Sequence, residues 1–89
     1  MYVADGNIVE TTWRGTFSMP VANIREIRIG WVPYGPPAIY LESNVGNVIS
    51  LRVTEDTENT REQVGKAVRD LPLATRLTEA TRAALRLAP

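Results

Sequence analysis

The stretch Ile24-Arg25-Glu26-Ile27-Arg28-Ile29-Gly30-Trp31-Val32 decides how this chain is read. Ile27, Ile29 and Trp31 fall on one side, and Glu26, Arg28 and Gly30 on the other. That is the period-two alternation of a strand with one face buried. The next stretch, Pro33-Tyr34-Gly35-Pro36-Pro37, excludes regular structure, because three of its five residues cannot donate to a ladder. Strand character resumes at Ala38-Ile39-Tyr40-Leu41-Glu42. It stops at the turn chemistry of Ser43-Asn44-Val45-Gly46-Asn47 and returns from Val48 to Val53, with Ile49, Leu51 and Val53 inward.

Working back toward the N-terminus, Ile8-Val9-Glu10-Thr11-Thr12-Trp13 is dense in β-branched and aromatic residues. Asp5-Gly6-Asn7 in front of it predicts a turn, with Tyr2 to Ala4 pairing back as a short arm. Phe17 and Met19 continue an alternating pattern as far as Pro20, which marks an end or an edge. Short connections favour an antiparallel meander of about five strands over residues 1–54.

Beyond Val53 the period changes to that of a helix. Val64, Ala67, Val68 and Leu71 recur at i, i+3, i+4 and i+7, which predicts a helix over 57–71. Asn59 with Glu62 is a candidate capping box, and Asp56 or Thr57 an alternative cap. Pro72 ends or kinks it. Leu73, Leu77, Ala80, Ala84 and Leu87 then predict a second amphipathic helix over 73–88, with a weakly polar face about 160° wide. The expected fold class is α+β: one domain over 1–89, the meander followed by two amphipathic helices packed on one of its faces.

Composition narrows the function. The chain has 89 residues, ten basic and ten acidic side chains, and neither His nor Cys. Disulfides, imidazole or thiolate metal sites, Cys nucleophiles and His-based triads are thereby removed. The balance hides an asymmetry: residues 1–60 carry four basic against seven acidic residues, and residues 61–89 six against three. Glu55, Asp56 and Glu58 could pair as acid and base or hold a divalent cation, but they stand where helix caps stand. No phosphate loop, calcium loop or dinucleotide fingerprint occurs, and Lys66 falls opposite the apolar stripe. The expectation is no enzyme, no cofactor and no metal site.

Two surfaces remain as candidates. Trp31, Tyr34 and Pro36 lie in a stiff aromatic and proline loop that could anchor a partner or ligand at small entropic cost. The alternative for Trp31 is that it continues the core face of Ile27 and Ile29. Leu73, Leu77, Ala80, Ala84 and Leu87, with Ala74, Thr81, Leu85 and Ala88 beside them, form a face broader than one small sheet needs, which suggests a second copy or another protein as its cover. The leading expectation is a non-catalytic protein-interaction domain acting as a homo-oligomer or as a component of an assembly. One alternative is polyanion or nucleic-acid binding through Arg69, Arg76, Arg82 and Arg86, which the zero net charge disfavours. The other is a small ligand or peptide at the Trp31–Pro37 loop. The first residues lack the basic and apolar regions of a signal peptide, and no apolar run has the length of a membrane span, so a cytoplasmic location is expected.

The run Phe17-Ser18-Met19-Pro20-Val21-Ala22-Asn23-Ile24-Arg25-Glu26-Ile27-Arg28-Ile29 resembles the bacterial pleckstrin-homology-like domains and their GRAM-type relatives. The shared pattern is a strand, a proline-started turn and an Ile-x-x-Ile-x-Ile strand, followed by two short strands and an amphipathic helix, over about residues 8–71. The resemblance implies a non-catalytic scaffold. That family usually has seven strands, and its lipid-binding members carry basic residues in the first hairpin. Asp5-Gly6-Asn7 stands there instead, so phosphoinositide binding is not expected.

Overall fold

Asp5 and Gly6 both adopt positive φ, 51° and 76°, and together reverse the chain in a two-residue turn. This turn sets the first register, β1 (Tyr2–Ala4) against β2 (Asn7–Thr12), with Ala4 opposite Asn7. Trp13 and Arg14 form the next turn, and β3 (Gly15–Pro20) pairs with β2 so that Ile8 faces Met19 and Glu10 faces Phe17. The computed structural model describes residues 1–31 and 33–87.

At Pro20 the meander breaks. Val21–Asn23 form a single 3₁₀ turn, and β4 (Ile24–Gly30) starts a separate sheet with β5 (Ala38–Ser43) and β6 (Val48–Arg52). The sheet order is therefore β1-β2-β3 and β4-β5-β6, two three-stranded antiparallel sheets in place of the single five-stranded meander that the sequence suggested. Pro20 has no amide proton to extend a ladder, which accounts for the break at that point.

Across the second sheet the side chains form rows. Ile29, Ile39 and Leu51 make one inward row, and Ile27, Leu41 and Ile49 the next. A register shift between Ile24 and Glu26 inserts Arg25 as an extra residue. This bulge brings Ile24 and Ile27, three apart in sequence, to the same buried side. Ile8 and Met19 from the first sheet complete the β part of the core.

The helical part fills the side along β1 and β4. A 3₁₀ turn at Glu55–Thr57 leads into α1 (Glu58–Val68), which packs on β1 and buries Val64 and Val68 completely. Each such side chain contributes about 1.5–3 kcal/mol of burial. The cap at this entry is reciprocal between Thr54 and Thr57, five residues upstream of the Asn59–Glu62 box expected from the sequence: the Thr54 amide donates to Thr57 Oγ1 at 3.1 Å.

The second helix departs most from expectation. In place of one helix over 73–88, Pro72–Arg76 form a 3₁₀ turn, Leu77 and Thr78 are extended, and α2 spans only Glu79–Ala84 before packing on β4. Thr78 is the cause: its Oγ1 accepts the Thr81 amide at 3.2 Å and starts a new helix there. Arg86 turns the chain away at φ 60°. Breaking the helix rotates its face. Thr81, Ala84 and Leu85 point inward, and Ala80 is exposed.

Arg61 ties the parts together. Its Nη1 donates to the Ala84 carbonyl, its Nη2 to the Thr54 carbonyl, both at 2.9 Å, and its Nε to Thr57 Oγ1 at 3.2 Å. One guanidinium thus joins the end of the second sheet, the start of α1 and the C-terminal carbonyls of α2, where a cation also suits the helix dipole.

Candidate functional site

The helices cover the first sheet along β1 and the second along β4. β3 and β6 are the opposite borders of the two sheets, and each pairs with a strand on one side only. A groove of about 600 Å³ opens beside them, within the roughly 300–1,000 Å³ typical of binding clefts. Phe17, Ser18, Met19 and Pro20 of β3 form one wall. Val45 and Asn47 of the β5–β6 turn, with Val48 and Ile49 of β6, form the other. Met19 and Ile49 are buried at its base, while Phe17 is 53% exposed, and Val45 and Val48 are exposed with it.

The ladders define which backbone groups face out. The Val21 amide donates to the Gly6 carbonyl, and in this register every second residue of β3 repeats that inward bonding. Val21, Met19 and Phe17 therefore bond toward β2. The N–H and C=O groups of Thr16 and Ser18 point to the open border, as does the Pro20 carbonyl. On β6, Val53 bonds to Pro37, and Asn47 to Ser43, so Val48, Ser50 and Arg52 present the outward groups. Ser43 holds the turn between these walls: its buried Oγ accepts the amides of Val45 at 3.3 Å and Asn47 at 3.1 Å. Among the described residues, Glu10 is the one ionisable side chain that lines the groove.

The loop candidates lie at the other end of the second sheet, beyond Gly30 and before Ala38. Trp31 is 77% exposed and Tyr34 fully exposed, while Pro36 is half-buried. Trp31 does not continue the core face of Ile27 and Ile29. Val32 lies outside the described residues. A further aromatic, Trp13, stands exposed at the β2–β3 turn with the Arg14 guanidinium 4.9 Å from its ring centre.

The apolar stripe is not a free face. Leu73 and Ala84 are buried in the chain's own core, Leu77 and Leu87 pack against it, and of the five only Ala80 is exposed. Ala88, at the end of the expected helix, is outside the described residues. The four arginines considered for a polyanion separate. Arg69, Arg82 and Arg86 flank a depression with Lys66, Glu62 and Asp70, whereas Arg76 lies with Arg25 and Arg28 beside β4. Arg86 pairs with Glu58, Lys66 with Glu62 at 3.6 Å and Arg69 with Asp70 at 3.9 Å. Arg82 donates to the Ala74 carbonyl at 2.6 Å. Among the described residues no three of His, Cys, Asp and Glu converge as a metal site requires, and no helix is long and apolar enough to cross a membrane.

Phe17, Val45 and Val48 are the groove residues that sequence reading passes over. Phe17 stands on the core face of its strand by alternation, and only the arrangement of the two sheets leaves it uncovered. The available signal is the run Gly15-Thr16-Phe17-Ser18-Met19-Pro20, a strand with no charged residue. The chain matches no family model, no curated protein and no solved structure.

Proposed function

We propose that the chain is a small, non-catalytic, cytoplasmic protein-interaction domain, working with a second copy of itself or as a component of an assembly, and that its contact surface is the β3–β6 groove. The observation that supports this reading is the pair of unpaired strand borders flanking exposed Phe17, Val45 and Val48. Strand borders of this kind recruit polypeptide, because their unmet N–H and C=O groups repeat at the spacing of another strand. The interface moves from the Leu73–Leu87 stripe to the groove, since the chain itself covers most of that stripe. A non-catalytic scaffold is also what the resemblance to pleckstrin-homology-like domains implies.

A second reading, a contact at the Trp31–Pro37 loop, is favoured by the exposure of Trp31 and Tyr34. The two surfaces are at opposite ends of the second sheet and can be tested separately. A photo-crosslinking amino acid at position 48, and another at position 34, are introduced in the native host. Capture of a polypeptide from position 48, whether this chain or another, is the expected result. A monomeric mass at every concentration together with no polypeptide captured from position 48 overturns the groove reading, and capture from position 34 alone favours the loop.

A further inference from the structure

β3 is unusual for an exposed border strand. Natural sheets protect such borders with lysines, inward charges, prolines or bulges. From Gly15 to Met19 this strand has no charge, no proline and a regular register with β2. Pro20 blunts only its last position. β6 differs: Arg52 places a charge among its outward-bonding residues. The uncovered border also carries its largest apolar side chain, Phe17, on the groove side.

We infer that β3 pairs with β3 of a second copy, antiparallel across a twofold axis, to join the two first sheets into one six-stranded sheet. This rests on the interaction-domain reading and names its partner. Three observations select a second copy over an unrelated strand. First, strand pairing about a twofold axis is isologous, so a charged side chain near the axis meets its own like charge. β3 carries none. Second, the outward-bonding residues Thr16 and Ser18 lie symmetrically about Phe17. Opposing Thr16 to Ser18 of the other copy lets the N–H and the C=O of each residue bond. Third, that register sets Phe17 directly opposite its own copy as a non-hydrogen-bonded pair, the closer of the two antiparallel geometries. Two half-exposed rings then cover each other as a cross-strand aromatic pair. In the same register Pro20, which has no amide to donate, falls at the end of the pairing, opposite Arg14 of the other copy.

The test uses the full chain in sedimentation equilibrium. The wild type is expected to associate to a dimer. Ser18→Pro removes an outward amide and leaves the β2 ladder intact. Phe17→Lys sets two ammonium groups face to face. Each is expected to weaken association at least about tenfold, with the melting transition retained. Ser50→Pro, the equivalent change on the β6 border, is expected to leave the dimer unchanged. A second measurement does not depend on those variants folding well. The chain has no cysteine, and the non-hydrogen-bonded register brings the two 17 positions within disulfide range. Phe17→Cys is therefore expected to form a covalent dimer on mild oxidation, and Ser50→Cys is not. A monomeric wild type overturns the inference, as does a dimer that survives both β3 changes, or one that is lost with Ser50→Pro alone. A monomer that still captures another polypeptide from position 48 removes the second copy and leaves the interaction-domain reading standing.

Discussion

Gly65 of α1 and Leu85, one residue beyond α2, meet backbone to backbone: a β-carbon built on Gly65 would lie 2.1 Å from the Leu85 carbonyl oxygen. Glycine inside a helix normally costs about 1 kcal/mol relative to alanine. Here it is what allows the C-terminal segment to lie against α1. Gly65→Ala is therefore expected to destabilise by about 1–3 kcal/mol, the cost of overpacking, despite alanine's better helix propensity. A urea titration checks the sign, and a raised midpoint contradicts the contact.

Arg61 makes the second connection between the same two elements. Arg61→Ala removes hydrogen bonds to Ala84, Thr54 and Thr57 at once and is expected to cost about 2–3 kcal/mol. Arg61→Lys restores only part of this, because an ammonium cannot span three acceptors in the guanidinium plane. Chemical denaturation of both variants checks the order, wild type above Lys above Ala.

Thr78 decides where α2 begins. Thr78→Ala removes the Thr81 amide's acceptor and the 2.9 Å partner of the fully buried Thr81 hydroxyl. A loss of about 1–2 kcal/mol is expected. Thr78→Ser keeps the oxygen and is expected to stay within about 0.5 kcal/mol of wild type. Thermal melts of the two variants distinguish a cap from mere packing of the threonine methyl.

Trp31 and Tyr34 give the opposite expectation. As exposed loop residues they contribute no core, so Trp31→Ala and Tyr34→Ala are each expected to shift stability by less than about 0.5 kcal/mol. A buried Trp31 continuing the Ile27–Ile29 face would cost about 3–5 kcal/mol on truncation. The melting temperature of Trp31→Ala separates the two.

These residues also show how far the sequence could be read. Alternation identified Ile27, Ile29, Ile49 and Leu51 as inward, because strand period and burial coincide there. Ile24 also proved inward, although its spacing of three from Ile27 breaks the period, since the bulge at Arg25 absorbs the extra residue. The second helix misled because Leu73, Leu77, Ala80, Ala84 and Leu87 satisfy a helical repeat across a point where the helix stops. Thr78 followed by Glu79, Ala80 and Thr81 carried the cap signal, and a local side-chain hydrogen bond outweighed the longer apolar pattern. The groove was the least legible feature. That Phe17 is uncovered depends on which strands become borders, and β3 becomes one only because Pro20 and the 3₁₀ turn after it carry the chain to a second sheet.

Amide hydrogen exchange at Thr16 and Ser18, followed as the chain is diluted, tests the central claim most directly. Among the described residues these two amides point away from the β2 ladder, and in the proposed dimer their bonds form when two β3 strands meet. Slow exchange at high concentration that becomes fast on dilution, with the outward amides of Val48 and Ser50 fast throughout, is the predicted result. Fast exchange at Thr16 and Ser18 at every concentration contradicts it.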